Sequence, residues 1–140
     1  VVDDIEDNRE LIRQVLECEP YKVFLAENAT VAKEIINQTQ LDLLILDVHM
    51  PETDGFELCR WLREAVSAAA LPVIFVTAVC TSVEHVIAGL DIGAVDYLTK
   101  PFEADELRAR VRTILRLQDA HQEQTKQVKR MTARLYRAFK

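Results

Sequence analysis

Long apolar runs are missing from this 140-residue chain. The longest fall well short of the roughly 18 residues that a membrane span needs, and no signal-peptide pattern opens the sequence as given. Cysteine is sparse. Cys18, Cys59 and Cys80 make an odd set without C-x-x-C or other ligand spacing. That argues against a disulfide framework or a zinc site, and for reduced thiols in a cytosolic protein. Basic residues are scarce over most of the length: residues 1–120 carry 11 Lys/Arg against 22 Asp/Glu, a net of −11. A body so acidic is a poor nucleic-acid surface, because phosphate contacts need clustered Lys and Arg. Residues 103–139 contain neither Gly nor Pro, so nothing there interrupts a helix.

What is present is ordinary for a soluble globular domain, with 49% hydrophobic and 29% charged residues. The length suits one domain with a real core and some chain left over. The chain is organised around residues 42–55. Leu43 to Leu46 form a continuous apolar run, as a strand does when both its faces are covered. Asp47 follows at once, so a carboxylate arrives at the carboxyl end of a buried strand, where open α/β sheets bind ligands. Met50-Pro51 stops the strand, and Asp54-Gly55 makes a turn ahead of a helix.

The rest reads as alternating strands and helices. Val1-Val2 is too short for a strand, so further residues are expected before it. Residues 8–17 place Leu11, Ile12, Val15 and Leu16 on one helical stripe. Pro20 ends that element, and Tyr21 to Ala26 reads as the second strand. Asn28 caps a helix with Val31, Ala32, Ile35 and Ile36 inward. Another helix runs from about 55 to 66, with Phe56, Leu58, Cys59 and Leu62 for packing and Trp61 as a packing or half-exposed residue. Val73 to Thr77 is a second buried strand, followed by a helix over about 82–92. Val95 to Leu98 is the last strand. Glu103 then begins a long final helix with Leu107, Val111, Ile114 and Leu115 inward. This pattern predicts an α/β fold with a five-stranded parallel sheet, helices on both faces and right-handed crossovers.

Four predicted strands end in chemically suggestive groups: Asp3 and Asp4, Asp47, Thr77, and Lys100. In a parallel sheet those ends share one edge. Like-charged carboxylates about 4 Å apart cost roughly 4 kcal/mol per pair at an effective dielectric near 20. A hard divalent cation such as Mg²⁺ relieves that repulsion and leaves Asp47 ionised as a nucleophile. Lys100 adds fixed positive charge and Thr77 a rotatable donor, which together describe a pocket for a phosphoryl group on Asp47.

On these residues the chain resembles the receiver domain of two-component response regulators (the CheY-like family). The stretches that carry the resemblance are Val2-Asp3-Asp4, the apolar run ending Asp47-Val48-His49-Met50-Pro51 with Asp54-Gly55, Thr77-Ala78, and Asp96 to Phe102. They span about residues 1–117, with 118–140 as a helical extension toward an output domain. The resemblance implies a flavodoxin-like strand order 2-1-3-4-5. It implies that Asp47 accepts a phosphoryl group from a histidine kinase or phosphotransfer protein, and that the domain is not an enzyme in its own right, though it assists its own phosphotransfer and autodephosphorylation. Mg²⁺ (or Mn²⁺) would be held by Asp3, Asp4, Asp47 and the backbone carbonyl of His49. Thr77, the Ala78 amide and Lys100 would bind phosphoryl oxygens, and Tyr97 would be the aromatic switch. Lys100-Pro101 is expected to be cis. The helix at 82–92, the last strand and the final helix would present an altered face to a partner. His49 and Val79 are expected to slow dephosphorylation by hindering the attacking water.

Two other classes compete. Haloacid-dehalogenase-type phosphatases also use an aspartate nucleophile with Mg²⁺, but normally carry an acid where His49 stands. A phosphate-independent scaffold would not need every one of these positions filled. The last 20 residues carry 6 Lys/Arg against 1 Asp/Glu, a basic face better read as solvated than as a nucleic-acid or membrane surface. A seam traced through Leu107, Val111, Ile114, Gln118, His121, Thr125, Val128, Thr132, Leu135 and Phe139 reads as a marginal coiled coil. It would allow a homodimer through this helix or through the switch face.

Overall fold

The computed structural model describes residues 1–65, 71–77, 87, 91, 93 and 96–138. The expected helix at 82–92 as a whole, the start of the last strand at Val95, and the readings of Ala78, Val79, Cys80 and Phe139 lie outside the described residues. In chain order the elements are α1 (Glu6–Glu17), α2 (Ala29–Gln38), β1 (Leu44–Leu46), α3 (Gly55–Glu64), β2 (Val73–Thr77), β3 (Asp96–Thr99) and α4 (Ala104–Ala138). The three strands form one parallel sheet in the order β1-β2-β3.

Every residue of β1 and β2 is buried, because both faces of the sheet are covered and alternate side chains serve opposite layers. Leu44, Leu46, Val73 and Phe75 pack with Ala29 and Ala32 of α2 and with Leu58, Cys59 and Leu62 of α3. Ile45, Ile74, Val76 and Leu98 pack on the other side with Ile12, Val15 and Leu16 of α1 and with Leu107 and Val111 of α4. Among the described residues, no helix is long and apolar enough to cross a membrane.

The helix starts follow their side-chain caps. The Asn28 side chain accepts from the Val31 N–H at 2.9 Å, and that of Asp54 accepts from the Glu57 N–H at 2.9 Å. Each satisfies one of the donors that a helix N-terminus leaves open. Near the other end of α3, Arg63 ties the helix to later segments, donating to the carbonyls of Leu71 at 2.7 Å and Gly93 at 2.8 Å. Gly93 has φ +103°, and a Cβ there would lie 2.8 Å from Arg63 Nε.

Of the five strands expected, three are formed among the described residues. Val2 makes single parallel bridges to Ala26 on one side and Leu46 on the other. Leu11 is 52% exposed rather than inward. It lies about 100° around α1 from Ile12, beyond the arc shared by Ile12, Val15 and Leu16. The final helix begins at Ala104, one residue later than expected.

Candidate phosphoryl-acceptor site

The parallel arrangement brings the ends of the segments to one edge. The Asp47 N–H donates to the Val2 carbonyl at 2.9 Å, the Asp3 N–H to that of Ala26 at 3.2 Å, and the Lys100 N–H to that of Thr77 at 2.7 Å. These bonds hold neighbouring chain segments level just where the polar residues emerge. Asp3, Asp47 and Thr77 are the buried polar and charged residues of the described chain, at 1%, 8% and 0% exposure. Asp4 is exposed. Each of Asp3, Asp4 and Asp47 offers a carboxylate oxygen, and the three oxygens lie within 4.8 Å of one another.

Asp3 is held at every acceptor. The Ile5 N–H donates to its Oδ1 at 2.9 Å, Lys100 Nζ to its Oδ2 at 2.8 Å, and Arg9 Nη1 to its backbone carbonyl at 2.8 Å. The Lys100–Asp3 pair is well shielded, with side chains 14% and 2% exposed, and the Lys100-Pro101 bond is cis. Sequence reasoning singled out Lys100 and Asp3 but missed the roles of Ile5 and Arg9. The spacing of Arg9, one turn into α1, is the only signal of its contact.

Asp47 is pushed up to about 6, first by burial and next by the negative charge of Asp3, with Asp4 adding a smaller push. The charge of Lys100 and the His49 backbone N–H pull the other way. His49 itself is exposed. A carboxylate whose ionised form is disfavoured by burial and by acidic neighbours is a site that a cation would stabilise in that form.

Gly55 packs against the backbone of the acceptor strand. Its N–H donates to the Val48 carbonyl at 2.8 Å, and a Cβ at Gly55 would fall 2.3 Å from the Asp47 carbonyl oxygen and 2.9 Å from Val48 Cα. The Asp-Gly pair therefore does more than turn the chain: it lets α3 start directly beneath Asp47. Glu52, in the connecting loop, has φ +68°.

Thr77 is the last residue of β2, fully buried. Tyr97, opposite Phe75 in the β2–β3 register, has its ring centroid 6.0 Å from that of Phe75 with the planes at 53°. Phe56 meets the same Phe75 edge-on at 5.0 Å. Next to Tyr97, Asp96 accepts from Arg110 Nη1 at 2.8 and 2.7 Å, tying β3 to α4. Trp61 serves packing, half-buried with Lys33 Nζ 5.2 Å from its ring centroid.

The chain is similar to known proteins in sequence and in fold. The family model for the response regulator receiver domain matches residues 1–112. "Response regulator MprA" of Mycobacterium ulcerans is 47% identical over 116 residues, which are 83% of this chain and 49% of that protein. The chain thus spans about half the length of the curated relatives it matches. Among solved structures, a putative response regulator from Chloroflexus aurantiacus is 38% identical at TM-score 0.76, covering 81% of this chain and 93% of that one. NtrX from Brucella abortus is 27% identical at TM-score 0.83, covering 92% of this chain and 29% of that one. By the match of its sequence and the likeness of its fold, this chain belongs to the response regulator receiver domain family.

Proposed function

We propose that the chain is the phospho-acceptor module of a two-component protein, with Asp47 as the residue that takes the phosphoryl group. The observation that carries this reading is the meeting of three carboxylates within 4.8 Å, one of them at the end of a buried strand, with Lys100 on Asp3. An all-oxygen donor set at a partly open edge fits Mg²⁺ or Mn²⁺. Asp3, Asp4, Asp47 and the His49 carbonyl would hold the ion, which supplies charge neutralisation for the acceptor and the incoming phosphoryl oxygens. Asp3 Oδ1 and Oδ2 already accept from Ile5 and Lys100, which favours contact through water for that residue.

In the transfer, an Asp47 carboxylate oxygen forms a bond to phosphorus as the bond from phosphorus to the donor's imidazole nitrogen breaks. The imidazole leaves with the electron pair of that bond. The protein's contribution is positioning and charge. Lys100 moves from Asp3 to the phosphoryl oxygens, Thr77 turns its hydroxyl to the same group with the Ala78 amide beside it, and Tyr97 follows into the space that Thr77 vacates. The face made by residues 82–92, β3 and α4 then reads out the change. The same groups serve autodephosphorylation, slowed by His49 and Val79.

The finer architecture follows the family: strand order 2-1-3-4-5, a receiver over 1–117, and a helical extension over 118–140 leading to an output domain. The partner is a histidine kinase or phosphotransfer protein in the cytoplasm, and a homodimer through the switch face or the final helix conveys the signal. The test is phosphoryl uptake from a small phospho-donor with and without Mg²⁺. The reading expects uptake only with the cation and none in Asp47→Asn. Uptake by that variant equal to the parent would overturn it.

A further inference from the structure

The three carboxylates at the sheet edge are not held alike. Asp3 accepts from the Ile5 N–H and from Lys100 Nζ, and Asp47 from the His49 N–H. Asp4 is exposed, and among the described residues its carboxylate accepts no hydrogen bond and forms no ion pair. Yet one of its oxygens lies within 4.8 Å of oxygens on the other two. Like charges so close repel, and an exposed side chain relieves that repulsion by turning into water. What keeps Asp4 at the edge is therefore its backbone.

Both peptide planes that flank Asp4 are pinned. The Asp3–Asp4 plane is held at its carbonyl, which accepts from Arg9 Nη1 at 2.8 Å. The Asp4–Ile5 plane is held at its N–H, which donates to Asp3 Oδ1 at 2.9 Å. Because each peptide is planar, holding the two planes fixes the Asp4 Cα between them and the bearing of its side chain. The second of these bonds is local, an Asx turn. The first is not, since Arg9 reaches back six residues from the first turn of α1. There its own N–H donates to the Ile5 carbonyl at 3.1 Å. Ile5 supplies no side-chain cap to α1, so Asp3 is what seats the start of the helix, through Ile5 on one side and Arg9 on the other.

We propose that Arg9 is a positioning residue for the divalent cation. Its bond to the Asp3 carbonyl aims Asp4, so that the exposed carboxylate stands ready to ligate instead of being drawn in from solvent. This rests on the phospho-acceptor reading above and adds to it a residue that touches neither the ion nor the phosphoryl group.

The test is Mn²⁺ binding to the full chain, read from the electron paramagnetic resonance of the free ion with Mg²⁺ as competitor, without any phospho-donor. Arg9→Met should weaken binding about tenfold, as loss of a residue that orients metal ligands does. Arg9→Gln, whose shorter side chain ends before the carbonyl, should do nearly the same and serves if the Met variant fails to fold. Arg9→Lys keeps a charged donor of almost the same reach and should stay within about threefold of the parent. The sharpest comparison is in the Asp4→Asn background, where the same Arg9 substitutions should change affinity by less than about twofold, because no Asp4 carboxylate is left to aim. An equal loss in both backgrounds would overturn the proposal by giving Arg9 a general charge or packing role. Parent-like affinity in Arg9→Met, or a Lys variant as weak as the Gln variant, would overturn it too. A parent chain that binds neither ion would instead bring down the phospho-acceptor reading itself, and the proposal with it.

Discussion

Lys100 Nζ lies 2.8 Å from Asp3 Oδ2, although 97 residues separate them in the chain. The pair closes the acidic edge: a largely shielded ammonium sits where three carboxylates crowd. Removing one member of such a shielded pair leaves the other charged without compensation. Lys100→Met should therefore destabilise the cation-free protein by about 3–5 kcal/mol, read from denaturant unfolding. Added Mg²⁺ should restore part of the loss, since it neutralises the same carboxylates. A loss below about 1 kcal/mol, typical of an exposed pair, would show that the contact is not shielded in solution.

Asp47 gives a pH signature. Its folded-state value of about 6 lies above the ordinary 3.8, so the folded chain binds this proton more tightly than the unfolded one. The contribution is fully present below about pH 4 and disappears as pH rises to about 6. We expect the cation-free protein to lose about 1–2 kcal/mol across that window, with solvent screening discounted. Asp47→Asn, which carries no charge at any of these values, should flatten this part of the profile and unfold at higher temperature at pH 7. An unchanged profile in the variant would assign the pH dependence to other groups.

Gly55 is a packing constraint rather than a flexible joint. Gly55→Ala drives a methyl to 2.3 Å from the Asp47 carbonyl oxygen, so α3 or the end of β1 must move. The expected cost is about 2–4 kcal/mol, with phosphoryl uptake reduced more than the unfolded fraction accounts for. Unfolding and uptake measured on one preparation would separate the two effects.

Leu107 anchors α4, being fully buried against β2 and α1. Leu107→Ala should cost about 2–5 kcal/mol. Leu117→Ala, ten residues further along the same helix at 65% exposure, should cost less than about 0.5 kcal/mol in the monomer. Equal losses would mean that the body reaches further along the helix.

Much of this was legible in the sequence because its causes are local. An unbroken apolar run marks β1 and β2, and Asn28 and Asp54 announce helix starts by side-chain chemistry that needs no tertiary partner. The acids, Thr77 and Lys100 were legible too, since a parallel sheet puts strand ends together whatever the loops do. What was missed depends on neighbours distant in sequence. Leu11 fits the helical stripe but falls just outside the arc that the sheet covers. Arg9 on the Asp3 carbonyl and Gly55 beneath Asp47 are backbone approaches, and side-chain patterns do not encode those.

The most direct test is a crystal structure of the chain with Mg²⁺ and beryllium fluoride, which mimics a phosphoryl group on a carboxylate. We predict one tetrahedral group on Asp47, with Thr77 and Lys100 about 3 Å from its ligands and the cation among Asp3, Asp4 and Asp47. A group bound to another side chain, or Lys100 still on Asp3 with the mimic in place, would contradict the account.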